Sequence, residues 1–153
     1  MNDITQIASS IAAELLTMDE VDYASVNDYL PAIKTSRGKA AALIIPFGQR
    51  GETQIFDLVG GTLVGTYRIP VEFWIKHEQG EVATTMQMAR DIGARAMRCL
   101  VAANLRGDVG FELDPGTPFE EVVNDTPVST GNQPYVISRL TVPVSIVIEG
   151  ENP

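Results

Sequence analysis

Residues 66–77, TYRIPVEFWIKH, alternate without a break. Tyr67, Ile69, Val71, Phe73 and Ile75 fall on one side of an extended chain. Arg68, Pro70, Glu72, Trp74 and Lys76 fall on the other. A period of two held over this length excludes a helix and demands a sheet with one apolar face. The apolar side reads as a core face. The other side carries a tryptophan, a proline and three charges, and it needs an explanation.

A second segment near the C-terminus, YVISRLTVPVSIVIEG, has the same form. Val136, Leu140, Val142, Val144, Ile146 and Ile148 share a face, with Ser138 the polar exception. The two segments align Arg68 with Arg139 and Ile75 with Ile146, which reads as shared strand patterning, not as an internal repeat. AALIIPF reads as a buried strand stopped by Pro46 and Gly48. Two strands turn at Gly60 and Gly61, which can both take the positive φ of a tight hairpin, and Gly65 is expected to mark a bulge. Pro70 and Pro143 each remove a ladder donor, which places their strands at edges or at bulges.

Helical periods occur twice. Ile4, Ile7, Ala8, Ile11, Ala12 and Leu15 predict a helix over 4–17, with Asp3 as N-cap and Gln6 as its capping-box partner. Val82, Met86, Ala89, Gly93, Ala96, Leu100 and Ala103 predict a second over 81–103, whose small residues let it sit close to a sheet. Residues 18–40 resist assignment, since Pro31 blocks a continuing helix there, and KTSRGK is a short basic loop. GFELD is a short strand candidate, 115–134 reads as a long loop rich in proline and acid, and 149–153 as a flexible tail. The expected fold is a single α+β domain over 1–153. It has the order α-β-β-β-α-β-β and a mainly antiparallel sheet with two helices packed on one face.

With 153 residues, 44% of them hydrophobic, the chain can bury a core without cross-links. Cys99 is the one cysteine, so neither an intrachain disulfide nor a cysteine-based metal cluster can form. The N-terminus carries an acid where a signal peptide needs basic residues, and no apolar run approaches the ~20 residues of a spanning helix. A cytosolic site of synthesis is expected. The net charge of −9 argues against a protein that grips nucleic acid, although an acidic wall suits a protein that DNA slides past.

No catalytic constellation emerges, and no cofactor or metal is expected. His77, the one histidine, reads as a solvated turn residue, and Cys99 as an inert core thiol on the buried stripe. GGTLVG joins strand to strand, whereas a phosphate loop feeds a helix N-terminus. Asp108, Glu112 and Asp114 fit no calcium-loop spacing and read as a solvated acidic loop. Lys34, Arg37 and Lys39 form a small basic patch, either a solvated loop or a docking point for an acidic partner. Trp74 among Arg68, Glu72 and Lys76 has the form of an apolar anchor in a polar rim, the alternative being a ring covered by the chain's own loops. Arg68, Glu72 and Trp74 are therefore the expected subunit interface.

The order of these elements resembles the tail terminator, or tail completion, proteins of long-tailed bacteriophages, of the lambda-type minor tail protein U kind. The features are the N-terminal helix, the strand ending near IIPFG, the hairpin ending in TYRIPVEFWIKH, the helix ATTMQMARDIGARAMRCLVAA and the final strand VISRLTVPVSIVIEG. The resemblance implies a ring, usually six-fold, that caps the tail tube, halts its growth and offers a surface to the head connector, with DNA passing through the lumen. Other neck and tail proteins share this architecture: head completion, sheath cap and tail tube subunits. An enzyme or small-ligand binder on the same core is the remaining alternative, and a deep polar pocket with converging titratable groups would favour it.

Overall fold

The computed structural model describes residues 4–26, 39–46, 55–59, 62–77, 82–123, 128–130 and 133–148. In chain order the elements are α1 (Ile4–Leu15), β1 (Val21–Val26), β2 (Ala40–Ile44), β3 (Ile55–Val59), β4 (Thr62–Lys76), α2 (Val82–Arg106), β5 (Glu120–Val123), β6 (Val128–Thr130) and β7 (Gln133–Ile148). The fold class is α+β, as expected. The sheet runs β1-β2-β4-β7-β5, with β3 pairing β4 and β6 pairing β7. All pairs are antiparallel except β1 with β2.

The two alternating segments are β4 and β7, paired without interruption from Leu63 opposite Ile148 to Lys76 opposite Tyr135. Their apolar sides face the helices. There Tyr67, Ile69, Val71, Phe73 and Ile75 meet Val136, Leu140, Val142 and Val144. Ile7, Ile11 and Leu15 of α1 and Ile92, Ala96 and Leu100 of α2 close the same cluster. Both helices thus pack on one face, because each has one apolar stripe and the sheet has one side that is apolar but for Ser138. Ser138 is buried in this core opposite Phe73, and its hydroxyl has no hydrogen-bond partner among the described residues.

The helix ends differ slightly from their expected positions. The regular part of α1 stops at Leu15, two residues before Thr17, and the chain tightens into i→i+3 bonds, Thr17 N to Glu14 O and Met18 N to Leu15 O. The expected cap, Asp3, lies outside the described residues. At its other end α2 continues to Arg106, a turn of helix beyond Ala103. Gly107 ends it with φ of 75° and an N–H bonded to the Ala103 carbonyl, the left-handed stop that glycine adopts without strain.

Four sheet expectations are corrected. Residues 21–26 form β1, a parallel edge strand that the sequence leaves unassigned. The segment 115–134 is not a single loop. β5 pairs residues 141–138 and β6 pairs 135–133 of β7, on the edge that β4 leaves free, and Leu113 bridges Val144. GFELD thus contributes one bridge. At Gly65 the register passes unbroken from Phe56 through Gly65 to Ile146, so there is no bulge.

Pro70 and Pro143 lie in the two central strands, not at edges. In an antiparallel strand the N–H and C=O of one residue point to the same neighbour. The Pro70 carbonyl accepts from Ile45 N, just past the end of β2, before β3 begins its own pairing at Thr66. The Pro143 carbonyl accepts from Asp114 N, between the Leu113 bridge and the start of β5. Each missing donor therefore faces the end of a neighbouring segment, Ile45 just past β2 and Asp114 just past the Leu113 bridge. The hairpin turn at 60–61, Gly48 and the tail 149–153 lie outside the described residues, although Val59 stands opposite Thr62 as a two-residue turn requires.

Candidate interaction surfaces

The face of the sheet opposite the helices carries the expected interface residues side by side. Trp74 is 4% exposed, which corrects the expectation of an indole that only a neighbouring subunit could cover. It packs with Ala41, Leu43 and Tyr135, and with the partly buried Tyr23 and Ile137. The Tyr135 ring meets it edge to face, centroids 5.7 Å apart. The reason lies in register: Ala41 and Ile137 flank Trp74 directly, and Tyr135 lies two residues along β7. The indole Nε1 is buried with no acceptor among the described residues.

Arg68 and Glu72 are engaged within the chain as well. Glu72 stands opposite Arg139 in the ladder, and Arg139 Nη2 donates to its carboxylate at 2.8 Å. Arg68 reaches Glu120 on β5 at 3.3 Å. The three residues expected at an interface therefore share a face, but they form a small second core and two cross-strand ion pairs. Of the basic loop, Lys34 and Arg37 lie outside the described residues, and Lys39 donates from Nζ to the Asp19 carbonyl.

Other singled-out residues also have local roles. The supposed solvated loop is anchored by Asp114. Its carboxylate accepts from the Thr66 hydroxyl, from Gly116 N at 3.0 Å and from the Thr117 hydroxyl at 3.0 Å. These bonds, that of Thr66 foremost, hold its pKa below the usual carboxylate range. Asp108 pairs with Arg106 instead, and among the described residues no three metal-ligating side chains gather. Cys99 is half-buried where α1 meets α2, its thiol directed to the Glu14 carbonyl. His77 closes the β4–β7 ladder by an N–H bond to the Pro134 carbonyl, and its Nδ1 is buried, so it is no freely solvated turn residue. Gly93 provides a notch in α2: a Cβ there would stand 2.5 Å from the Glu121 carboxyl carbon. Burial against the helix, and then the nearby Asp91 charge, push the Glu121 pKa up.

Open grooves among the described residues include two of similar size. One, of 530 Å³, runs beside α2 between Glu20, Met88, Ile92 and Arg95, and its charges are satisfied internally: Arg95 pairs Glu20 at 3.0 Å and Gln87 donates to Asp91. The other, of 560 Å³, lies between Ile7, Asn104, Phe111 and Ser145, where the Asn104 side chain accepts from Leu113 N. The chain matches no family model and no curated protein. No helix among the described residues is long and apolar enough to cross a membrane.

The structure also exposes apolar residues outside the expected interface. Val101, Leu105 and Val122 are large apolar side chains in contact with water, Leu105 at 81%. The first two had a legible signal, since Arg90, Ala94, Arg98, Val101 and Leu105 repeat at helical spacing opposite the core stripe. Val122 had none, because an acidic four-residue strand shows no alternation to read.

Proposed function

We propose that this chain is a structural subunit of a long-tailed phage virion, a tail terminator that forms a ring on the finished tail tube, stops its growth and presents a surface to the head connector. The observation that carries the reading is architectural: both helices lie on one face of a mostly antiparallel sheet built on two long central strands, β4 and β7. That architecture accords with the element order on which the resemblance rests. The charge of −9 suits a lumen through which DNA slides, because like charge prevents sticking. Its partners in this reading are further copies of itself, the tail tube protein and a head connector protein. It would be made in the host cytoplasm and reside at the head-proximal end of the tail. Lys34, Arg37 and Lys39 would dock on an acidic partner surface. Lys39 retains donors for this beyond the one held by Asp19.

Negative-stain imaging of the purified protein, alone and with tail tubes, tests the proposal. Rings with a central hole, or caps confined to one end of the tubes, are the expected result. A protein that copolymerises along the tube, or binds heads and not tubes, would move the reading to a sibling tail-tube or head-completion role.

A further inference from the structure

The edge strand β5 is held to the molecule on two sides. Its backbone pairs with residues 138–141 of β7. Its inner row, Phe119, Glu121 and Val123 in alternation, turns toward the helices. Phe119 and Val123 are partly buried against the core. Glu121, between them, carries a carboxyl group that lies on the backbone of α2 at Gly93. A Cβ on that glycine would stand 2.5 Å from its Cδ, 2.7 Å from Oε1 and 2.9 Å from Oε2. The carboxylate makes no hydrogen bond and no ion pair among the described residues. The helix offers it none, because the N–H groups of a helix interior are already bonded within the helix. Nor does a cation hold it. On α2, Asp91 adds a like charge, Arg95 is held by Glu20, and Arg90 and Arg98 make no ion pair among the described residues. On β7, Glu121 stands opposite Leu140, with Ser138 and Val142 on either side. Arg68 and Arg139 lie on the outer face, held by Glu120 and Glu72.

An ionised carboxylate pressed on a helix without a donor gives up hydration and gains nothing in return. A protonated one does not carry that cost. Two tendencies therefore oppose each other in β5. Phe119, Val123 and the bonds to β7 hold the strand down, and the ionised Glu121 draws its carboxylate toward water. We propose that β5 is an acid-tightened edge strand: with Glu121 protonated it stays closed on α2 at Gly93, and with Glu121 ionised it opens from α2 and β7 more often. Glu121 keeps contact with water at the sheet edge, so it can exchange its proton in place. Burial, and then the Asp91 charge, raise its pKa in the closed strand. Closure is therefore strongest below the carboxyl's ordinary range and weakens as pH rises through the raised value. Opening would bare the 138–141 edge of β7 and release Arg68 from Glu120. One proton thus reaches both the sheet edge and the outer face. The proposal does not depend on the ring reading.

Amide hydrogen exchange in the full chain tests it, read by NMR at residues 120–123 and corrected for the pH dependence of the chemical step. Measurements run from about pH 4.5 to about pH 7.5, where Asp114 remains ionised and its turn anchored. Protection of the β5 amides, taken relative to the centre of β4, should fall about threefold or more across this range in the wild type. Glu121→Gln, neutral and of the same shape, should keep the acid level of protection throughout. Gly93→Ala fills the notch, moves the carboxylate into water and should abolish the pH dependence. The Glu121 carboxyl carbon, titrated in the same samples, should have its midpoint above that of the exposed Glu112. Protection that does not change with pH in the wild type would overturn the proposal. So would a pH dependence that persists in Glu121→Gln or in Gly93→Ala, since another group would then be responsible. β5 amides unprotected at every pH would show that the strand does not close, and would overturn it as well.

Discussion

Trp74 is the residue whose environment the alternation of β4 leaves undecided. Period two assigns it to the outer face, and register with β2 and β7 then supplies Ala41, Ile137 and Tyr135 to cover it. It is therefore a folding residue. Trp74→Ala is expected to cost about 3–5 kcal/mol in urea denaturation, as aromatic truncations in cores do, with any loss of association following from the loss of fold. Asp114 is a second case where context decides. Its three acceptor bonds tie the turn at 114–117 to β4, and Asp114→Ala should cost about 1–3 kcal/mol at neutral pH. The pH dependence has a definite sign. The folded pKa lies below the unfolded value of about 3.9. The ionised carboxylate therefore adds stability at every pH above about 4, and that increment is lost as pH falls through the folded pKa. Stability measured against pH for wild type and Asp114→Asn should converge in the acid range.

At the scale of elements, α2 shows how a periodic signal and a tertiary contact combine. Ala89, Ile92, Ala96, Leu100 and Ala103 are buried as their spacing requires. The reason for Gly93 is different from close packing on the sheet. It leaves room for the carboxylate of Glu121, which arrives from an edge strand 28 positions later in the chain. The carboxylate is the far end of a flexible side chain and can move aside, while a helix-interior glycine costs about 1 kcal/mol relative to alanine. Gly93→Ala is therefore expected to change stability by between zero and about 1 kcal/mol in the favourable direction. Thermal unfolding checks it, and a large loss would mean that Glu121 is fixed where it lies. The helices and the two long strands were legible because each repeats its pattern over many residues. β1, β5 and β6 were not, because short edge strands are held by backbone bonds to one neighbour and their side chains need no regular burial.

For the whole molecule the decisive feature is that, among the described residues, several short segments line the outer sides of β4 and β7. β2 and β3 share one side of β4, and the 113 bridge, β5 and β6 share one side of β7. Pro70 and Pro143 are accommodated in central strands where each stands opposite the end of a neighbouring segment, at Ile45 and Asp114, and the short β5 on the β7 edge is acidic. That strand resists pairing with its own kind. A sheet edge of this sort discourages indiscriminate strand addition.

Local patterning is enough to establish that the chain is α+β, which side of β4 and β7 is core, and which stripe of each helix is buried. Periodicity carries these choices, because a one-residue error would turn every apolar side chain to water. Long-range packing, by contrast, brings Arg68 and Glu72 to Glu120 and Arg139, covers Trp74 from within, and adds residues 120–123 and 128–130 to the sheet. These depend on which strands become neighbours and in what register. That choice is made by contacts between segments distant in the chain, and no local pattern records it.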